Sequence, residues 1–533
     1  AHARAMKFGR AHARRVTPWR VITLLCIVLP LSSAYAAAPG FDAARAAAIW
    51  GTALAFIAPR TLDPLGIPQM AVWGLSGITA LDPDLTVQEQ SGKLLLYGPN
   101  QVLFATPAPP PNDAAAWGSA CAAVAGHAFT ASPALLRAGT EGVVRSFFDE
   151  LFNHFDPYSR YEAPHEADED RSMRLGHAGL GLTLGREGTK ILVARVAPSG
   201  PADQAGMAPG MAVLAINGVQ TAGHDLTALQ ASLSGSLGTS IELTVRPQKN
   251  LAQTISLVRG IVPTQSVFGA MDNDIAVIRV TGFDQDTGEE FAASLGGLLA
   301  ATPSTKGVVI DLRGNRGGVL RQAALSVDAL LSHGAIIHTI GRDPAADQWF
   351  QAEGADIARG LPVIVLVDGG TASAAEVFSA ALADNDRAVV IGSATLGKGL
   401  VQNLTDLPGG GELFVTWSRM VAPRGWPLQG LGVFPQVCVS LGTNVLDQQI
   451  AALKSGVNML AKPLAETRSA RAPMPLAEVL ALRDSCPATV GANGYFAAAT
   501  ALIDDPAAYQ TALIHPLIAA SAPPPPSPAA NGT

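Results

Sequence analysis

Between Gly142 and Phe155 the apolar residues Val143, Val144, Phe147, Phe148, Leu151 and Phe155 recur at three- and four-residue spacing. That spacing places them on one face of a helix, which the Asp156-Pro157 pair stops. Upstream, residues 40 to about 105 give an Ala-rich helical start and then short apolar runs, and Pro107 to Pro111 reads as a linker-like break. Downstream comes the acidic run Glu166 to Asp170, with a boundary expected near Met173. From 176 to about 262 the texture is of short strands and glycine-rich turns: Gly179 to Leu184, Ile191 to Val196, Met211 to Ile216 and Ile241 to Val245. A helix, Asp225 to Leu233, sits between the last two, so this stretch reads as a small β-rich module. From Asn273 onward, buried runs such as Ile275 to Val280, Gly307 to Leu312, Pro362 to Val367 and Ala388 to Ile391 alternate with helical patterns. This alternation predicts an α/β layer domain. Ala-rich helical segments follow Leu441, and the Pro-rich stretch from Ser521 to Thr533 is expected to be disordered.

Length and composition narrow the field. A chain of 533 residues exceeds one core, and at about 150 residues per domain it divides into three or four units. Apolar residues make up 48% and charged residues only 15%, so most of the chain must fold around buried surface. The net charge is -7, from 36 Lys+Arg against 43 Asp+Glu. That balance argues against a protein that works by neutralising nucleic-acid phosphates.

The first 36 residues have another character. Cationic side chains crowd between Arg4 and Arg20, Val21 to Leu31 is nearly all apolar, and Ala34-Tyr35-Ala36 supplies the small residues of a cleavage site. The pattern predicts an export signal, the apolar run being short for a membrane span, although retention as an anchor is the alternative. The cysteines beyond it are Cys121, Cys438 and Cys486, an odd number. Either a Cys438–Cys486 bridge or three buried thiols fits. No Cys-x-x-Cys or clustered His/Cys spacing occurs, so no metal or other cofactor is expected.

Three spots carry candidate chemistry. Asp311-Leu312-Arg313-Gly314-Asn315-Arg316-Gly317-Gly318 joins a buried strand to a helical pattern, where free backbone N–H groups and a helix N-terminus could hold an oxyanion; alone, it is equally a tight turn. Asp368 to Glu376 makes a second strand-to-helix junction with Ser373 expected in the first helical turn, either a nucleophile or a helix cap. Gly392 to Gln402 nearly matches a phosphate-binding loop, but Gly399 stands where that motif needs a hydroxyl for magnesium. Within it Lys398 lies between glycines in a Lys-poor chain. No histidine lies between His338 and His515, and there is no Gly-x-Ser-x-Gly elbow, so a serine nucleophile here would need lysine as its base. Burial can supply such a base by lowering the amine from its reference near about 10.4 toward neutrality.

These blocks resemble the signatures of the C-terminal processing peptidases, the tail-specific serine proteases. The similarity rests on Asp-Leu-Arg-Gly-Asn-Arg-Gly-Gly at 311–318, Thr-Ala-Ser-Ala-Ala-Glu at 371–376 and Gly-Lys-Gly-Leu-Val-Gln at 397–402. It extends to Phe155-Asp156-Pro157-Tyr158-Ser159-Arg160-Tyr161, to Ala422-Pro423-Arg424-Gly425 and to Gly430–Pro435, covering about residues 142 to 441. Gln436, where the family usually has Asp, and Thr371, for a common Ser, are departures. The resemblance implies Ser373 as nucleophile, Lys398 as general base and Gln402 as the residue orienting the lysine. It also implies an oxyanion hole from Ala374 and either Gly317 or Gly318, and a PDZ domain whose Gly179-Leu180-Gly181-Leu182 loop holds a substrate's terminal carboxylate.

The expected organisation is a multidomain α/β protein with a crotonase/ClpP-like protease core and helical N- and C-terminal regions. The divisions are a signal at 1–36, a mostly helical region at 40–173, a PDZ domain at 174–262, the core at 263–445, a helical region at 446–520 and the tail at 521–533. The implied protein is an exported endopeptidase of the periplasm or cell envelope that acts on protein or peptide substrates with free C-termini. There is room for membrane-proximal substrates, a homo-oligomer or an adaptor protein. The alternative is a non-catalytic PDZ-containing peptide-binding protein on the same scaffold.

Overall fold

In the central sheet the strands Gly307–Asp311 and Val363–Val367 are buried at every position, which is why they read as unbroken apolar runs. The structure is a computed structural model and describes residues 40–513 apart from Gly176, Ser199, Gln248, Lys249, Pro263 and Thr264. The export signal and the Pro-rich tail lie outside the described residues. The six strands run in the order Val267–Asp272, Ile275–Val280, Gly307–Asp311, Val363–Val367, Val389–Gly392, Val437–Cys438. The first pair is antiparallel and the rest are parallel. Side chains alternate between two cores. Val308, Ile310, Val363, Val365 and Val390 pack with Phe291, Val327 and Phe378 of the helices that follow these strands. Val309, Ile364, Leu366, Val389 and Ile391 face the other way, against Leu446, Leu453, Ala499 and Leu502. The C-terminal helices, for which the motifs give no role, thus seal the second face of the sheet.

The same region is fastened by a Cys438–Cys486 disulfide spanning 48 residues, while Cys121 remains a buried thiol. A closed loop of that length restrains the unfolded chain by about 4 kcal/mol in the loop-entropy account. Replacing both cysteines by serine is therefore expected to lower the urea midpoint markedly, and reductant should do the same to the parent protein but not to the variant. An unchanged midpoint would mean that packing alone holds the C-terminal helices.

The N-terminal region is mostly helical and adds a small sheet. Helices Ala43–Ile57, Ala114–Ala131 and Pro133–Phe152 are present, but Thr86–Gln90, Lys93–Tyr97 and Val102–Pro107 form a three-stranded antiparallel sheet. Its strands are five or six residues long and half exposed, and apolar runs as short as Leu94–Leu96 do not by periodicity tell a strand from a helix. The Pro107–Pro111 segment is tied back rather than free: Ala108 N–H donates to Gly92 C=O, and the Trp117 indole donates to Pro110 C=O. Leu407, Leu413 and Val415 enter the same core from a hairpin of the α/β region, so the two regions share packing.

The β-rich module has the sheet order Gln253–Val258, Ser240–Arg246, Ala212–Ile216, Lys190–Val196, Leu182–Glu187. Helix Leu226–Leu233, capped by Asp225, lies beside the last strand, whose outer edge carries no strand partner among the described residues. The helix Pro164–Leu175 leading into the module is pinned to the α/β region, because Arg171 and Arg174 both pair with the buried carboxylate of Glu412.

Candidate active site

Strand Val363–Val367 ends in a turn that delivers Ser373 to the start of the eleven-residue helix Ala374–Asp384. Ser373 sits at φ 57°, ψ -121°, a region non-glycine residues avoid, so the turn holds it under strain. Several bonds enforce this. Asp368 Oδ1 accepts N–H from Gly314 and Gly370 at 2.9 Å, Thr371 Oγ1 donates to Leu312 C=O, and Ala372 N–H donates to Asn315 C=O. The two glycine-rich turns are therefore sewn into one unit. Arg313 serves that scaffold: it forks onto Asp311 and stacks over Tyr495, 4.7 Å from the ring centre.

Two candidate oxyanion donors differ from the third. Gly317 N–H is already donated to Asn315 Oδ1 at 2.8 Å. Gly318 and Ala374 N–H groups donate to no acceptor among the described residues. Gly317 instead supplies closeness: a Cβ there would stand 2.8 Å from Ser373 Cβ and 2.9 Å from Ala374 N.

The Lys398 loop meets the serine turn through one side chain that sequence reasoning did not single out. Glu376 is buried, and its carboxylate accepts N–H from Ser373 (2.7 Å), Gly397 (2.7 Å) and Lys398 (2.9 Å) and the hydroxyl of Thr395. Ser373 and Lys398 donate to the same oxygen, Oε2, so the two backbone nitrogens touch one atom. Leu396 N–H adds a bond to Thr371 C=O. The Ser-x-x-Glu spacing of a capping box at 373–376 was the available signal. Burial pushes the Glu376 carboxyl above its ordinary range, against the pull of its four donors.

Lys398 is partly buried. Desolvation, followed by the Arg160 guanidinium, holds its amine below the ordinary 10.5, while Asp156 and Glu376 pull the other way. The amine lies over the Tyr158 ring at 4.9 Å and makes no hydrogen bond or ion pair among the described residues. Gln402, the expected orienting residue, directs its Nε2 to Thr416 Oγ1 (3.1 Å) and Leu400 C=O (3.2 Å) rather than to the lysine. Thr416 Oγ1 in turn donates to Asp156 Oδ1 at 2.7 Å, which links the Phe155–Tyr161 segment to this wall.

The near match to a phosphate-binding loop is not available to a nucleotide. The amides of Ala394, Thr395 and Leu396 bond Cys486, Val433 and Thr371, those of Gly397 and Lys398 bond Glu376, and that of Gly399 bonds Gln429. A carboxylate stands where the phosphate would. The grouped carboxylates Glu162, Asp170 and Glu412 are likewise engaged by Arg160, Arg174 and Arg171 as an ion-pair network.

The peptide-binding residues gather in the β-rich module. Gly179 ends a short strand, Leu180 is buried, Gly181 takes φ 74°, and Leu182 opens the edge strand. A side chain at Gly181 would press on Ala197 and Val262, at 3.2 and 3.4 Å. The loop closes one end of a groove of about 270 Å3 that Leu233, Val262, Arg195 and Gln230 also line.

Comparison with known proteins matches residues 274–439 to the model of peptidase family S41 and residues 192–247 to that of the PDZ domain. A carboxy-terminal-processing protease of Bartonella bacilliformis is 34% identical over 301 residues, covering 56% of this chain and 69% of the relative. The carboxy-terminal processing protease CtpA of Bacillus subtilis is 29% identical over 303 residues, covering 56% and 64%. Among solved structures, a photosystem II D1 C-terminal processing protease aligns with 71% of this chain and 97% of its own at 23% identity, with a TM-score of 0.36.

Proposed function

We infer that this chain, which belongs to peptidase family S41 and within it to the carboxy-terminal-processing proteases, captures the C-terminal tail of a protein substrate on its PDZ domain and cuts the chain as a serine endopeptidase. Ser373 is the nucleophile and Lys398 the base in this reading. The observation that supports it is the single Glu376 oxygen accepting from both backbones, because it ties the main chain of a strained serine to that of a lysine whose amine is partly desolvated.

The neutral amine takes the Ser373 Oγ proton as Oγ attacks the scissile carbonyl carbon. Negative charge then gathers on the carbonyl oxygen, where the N–H groups of Ala374 and Gly318 await it and the helix N-terminus adds positive partial charge. Collapse breaks the C–N bond, with Lys398 returning the proton to the leaving amine, and an acyl-Ser373 ester remains. Water attacks this ester, losing a proton to Lys398; the C–Oγ bond then breaks, Lys398 returns the proton to Ser373 Oγ, and the new carboxyl terminus leaves. Gln402 has its Nε2 fixed by Thr416, which leaves Oε1 to accept from the amine once Lys398 leaves the Tyr158 ring.

The tail arrives in extended form. Its terminal carboxylate is held at Gly179–Leu182, and its last residues pair with the outer edge of Leu182–Glu187. The proposed divisions remain a PDZ domain at 174–262 and a core at 263–445, the core being of the crotonase/ClpP-like kind. The disulfide and the expected export signal support work outside the cytoplasm. Among the described residues no helix is long and apolar enough to cross a membrane.

The test uses one unfolded polypeptide ending in apolar residues, with its terminus either free or amidated. Mass spectrometry should show cleavage of the free form at least about tenfold faster, the scale of one lost charge-assisted contact. Equal rates would remove the carboxylate from the recognition step.

A further inference from the structure

The edge strand that is to receive the tail is not bare. Gln230, on helix Leu226–Leu233, reaches across the groove and bonds the backbone of Leu182–Glu187 twice. Its Oε1 accepts Leu184 N–H at 2.8 Å, and its Nε2 donates to Leu182 C=O at 2.8 Å. On its inner side this strand pairs with Lys190–Val196, with Leu182 opposite Val196 and Leu184 opposite Val193. Along a strand the groups that point away from the inner neighbour are those a newly added strand must use. Leu182 C=O and Leu184 N–H are therefore the first acceptor and donor beyond the carboxylate loop that a docking tail requires. A carboxamide offers one acceptor and one donor in the same plane, as a peptide bond does. Gln230 thus stands in for one peptide unit of the absent strand, and it lines the same groove as Gly179–Leu182.

We propose that Gln230 is a built-in competitor for the substrate tail, a side-chain plug that occupies the edge of the PDZ strand and sets how tightly a tail must bind to be admitted. The proposal rests on the tail-capture reading and adds a specificity residue to it. Any incoming tail must exchange both Gln230 bonds for its own, so the edge bonds give it little net gain. Selection then falls on what Gln230 cannot imitate: a free carboxylate at the loop and an apolar last side chain against Leu180, Leu233 and Val262. Tails lacking either would fail to displace the plug, which suits a protease that must spare most chain ends. The plug also covers an open strand edge, a surface otherwise prone to pair with other chains.

The experiment uses the full chain with Ser373→Ala so that bound peptide is not cut, and titrates a fluorescent decapeptide ending in apolar residues with a free or an amidated terminus. Gln230→Met keeps the side chain's length and packing without its amide, and Gln230→Ala removes both. Both variants are expected to bind the free-terminus peptide about tenfold more tightly, mainly through faster association, and to discriminate less against the amidated peptide. Hydrogen exchange at the Leu184 amide supplies a second readout. That amide should be protected in the unliganded parent, lose protection in Gln230→Met, and regain it when peptide is added. If the parent distinguishes free from amidated peptide while both variants bind the free form equally or more weakly, the plug is overturned and tail capture stands. If the parent binds neither peptide, tail capture itself falls and takes the plug with it.

Discussion

Exchange of Ser373 for alanine, or of Lys398 for alanine or methionine, is expected to lower kcat by about four orders of magnitude or more while leaving the binding of a tail peptide unchanged. The two losses should be far from additive, since a nucleophile without its base and a base without its nucleophile fail at the same step. The argument for the lysine is electrostatic. Burial, then Arg160, depresses the amine below its ordinary 10.5, so a larger neutral fraction exists at any pH than a surface lysine would have. Activity should therefore climb with pH as Lys398 loses its proton, with an apparent pKa below 10.5. A profile that stays flat between about pH 6 and 10 would remove Lys398 as the base. The same shift has a stability consequence of definite sign. The unfolded chain holds this proton more tightly than the folded one, so Lys398 destabilises the fold in full below its depressed pKa, and the cost fades as the pH rises toward 10.5. Lys398→Met should accordingly be no less stable than the parent at neutral pH. Inactivity without instability separates a missing base from a damaged fold.

What could be read from the sequence follows how local the underlying physics is. Strands Gly307–Asp311 and Val363–Val367 are buried on both faces and so declare themselves as apolar runs. The turns after them declare themselves through glycines that a close approach requires, as Gly317 against Ser373 shows. Ser373 and Lys398 could be placed because their neighbours in the chain are unusual, Ala-rich in one case and glycine-flanked in the other. The rest depends on contacts between distant segments, which composition and periodicity do not encode. The helices after Leu441 were legible as helices, yet nothing in them says that they cover the Val309, Ile364 and Leu366 face of the sheet. What separates Gly317 from Gly318 is where the Asn315 side chain points. Gln230 is an ordinary polar residue on a short amphipathic helix, and its meaning comes from a strand forty-odd residues away.

Glu376 belongs to the same class, and its replacement should produce the second large effect. As a carboxylate it satisfies three backbone N–H groups and one hydroxyl in a site closed to water, and two of those amides belong to Ser373 and Lys398. Glu376→Ala leaves all four donors unpaired, which at about 1 kcal/mol or more each implies a destabilisation of at least about 4 kcal/mol. Glu376→Gln is the sharper probe. It preserves size but keeps only one acceptor oxygen, so an NH2 group must face either the Ser373 and Lys398 amides or the Gly397 amide and Thr395 hydroxyl, and the junction is strained in both cases. The expected result is a fall in kcat of about 100-fold, the scale at which a displacement of about 1 Å is felt, with KM for a tail peptide held within about twofold because the groove is untouched. Glu376→Asp keeps the charge but is one methylene shorter and should rescue little, since the two backbones would have to close together to reach it. Burial also raises the carboxyl of Glu376 in the folded chain, so protonation in mild acid should loosen the same junction before ordinary surface carboxylates titrate. The fold tolerates that proton, because a raised pKa means the folded state binds it more readily than the unfolded one. The acid loss of activity would therefore precede the acid loss of structure, and Glu376→Gln should abolish that gap. A Glu376→Gln protein with kcat within threefold of the parent would show that the serine and the lysine keep their register without the intact carboxylate.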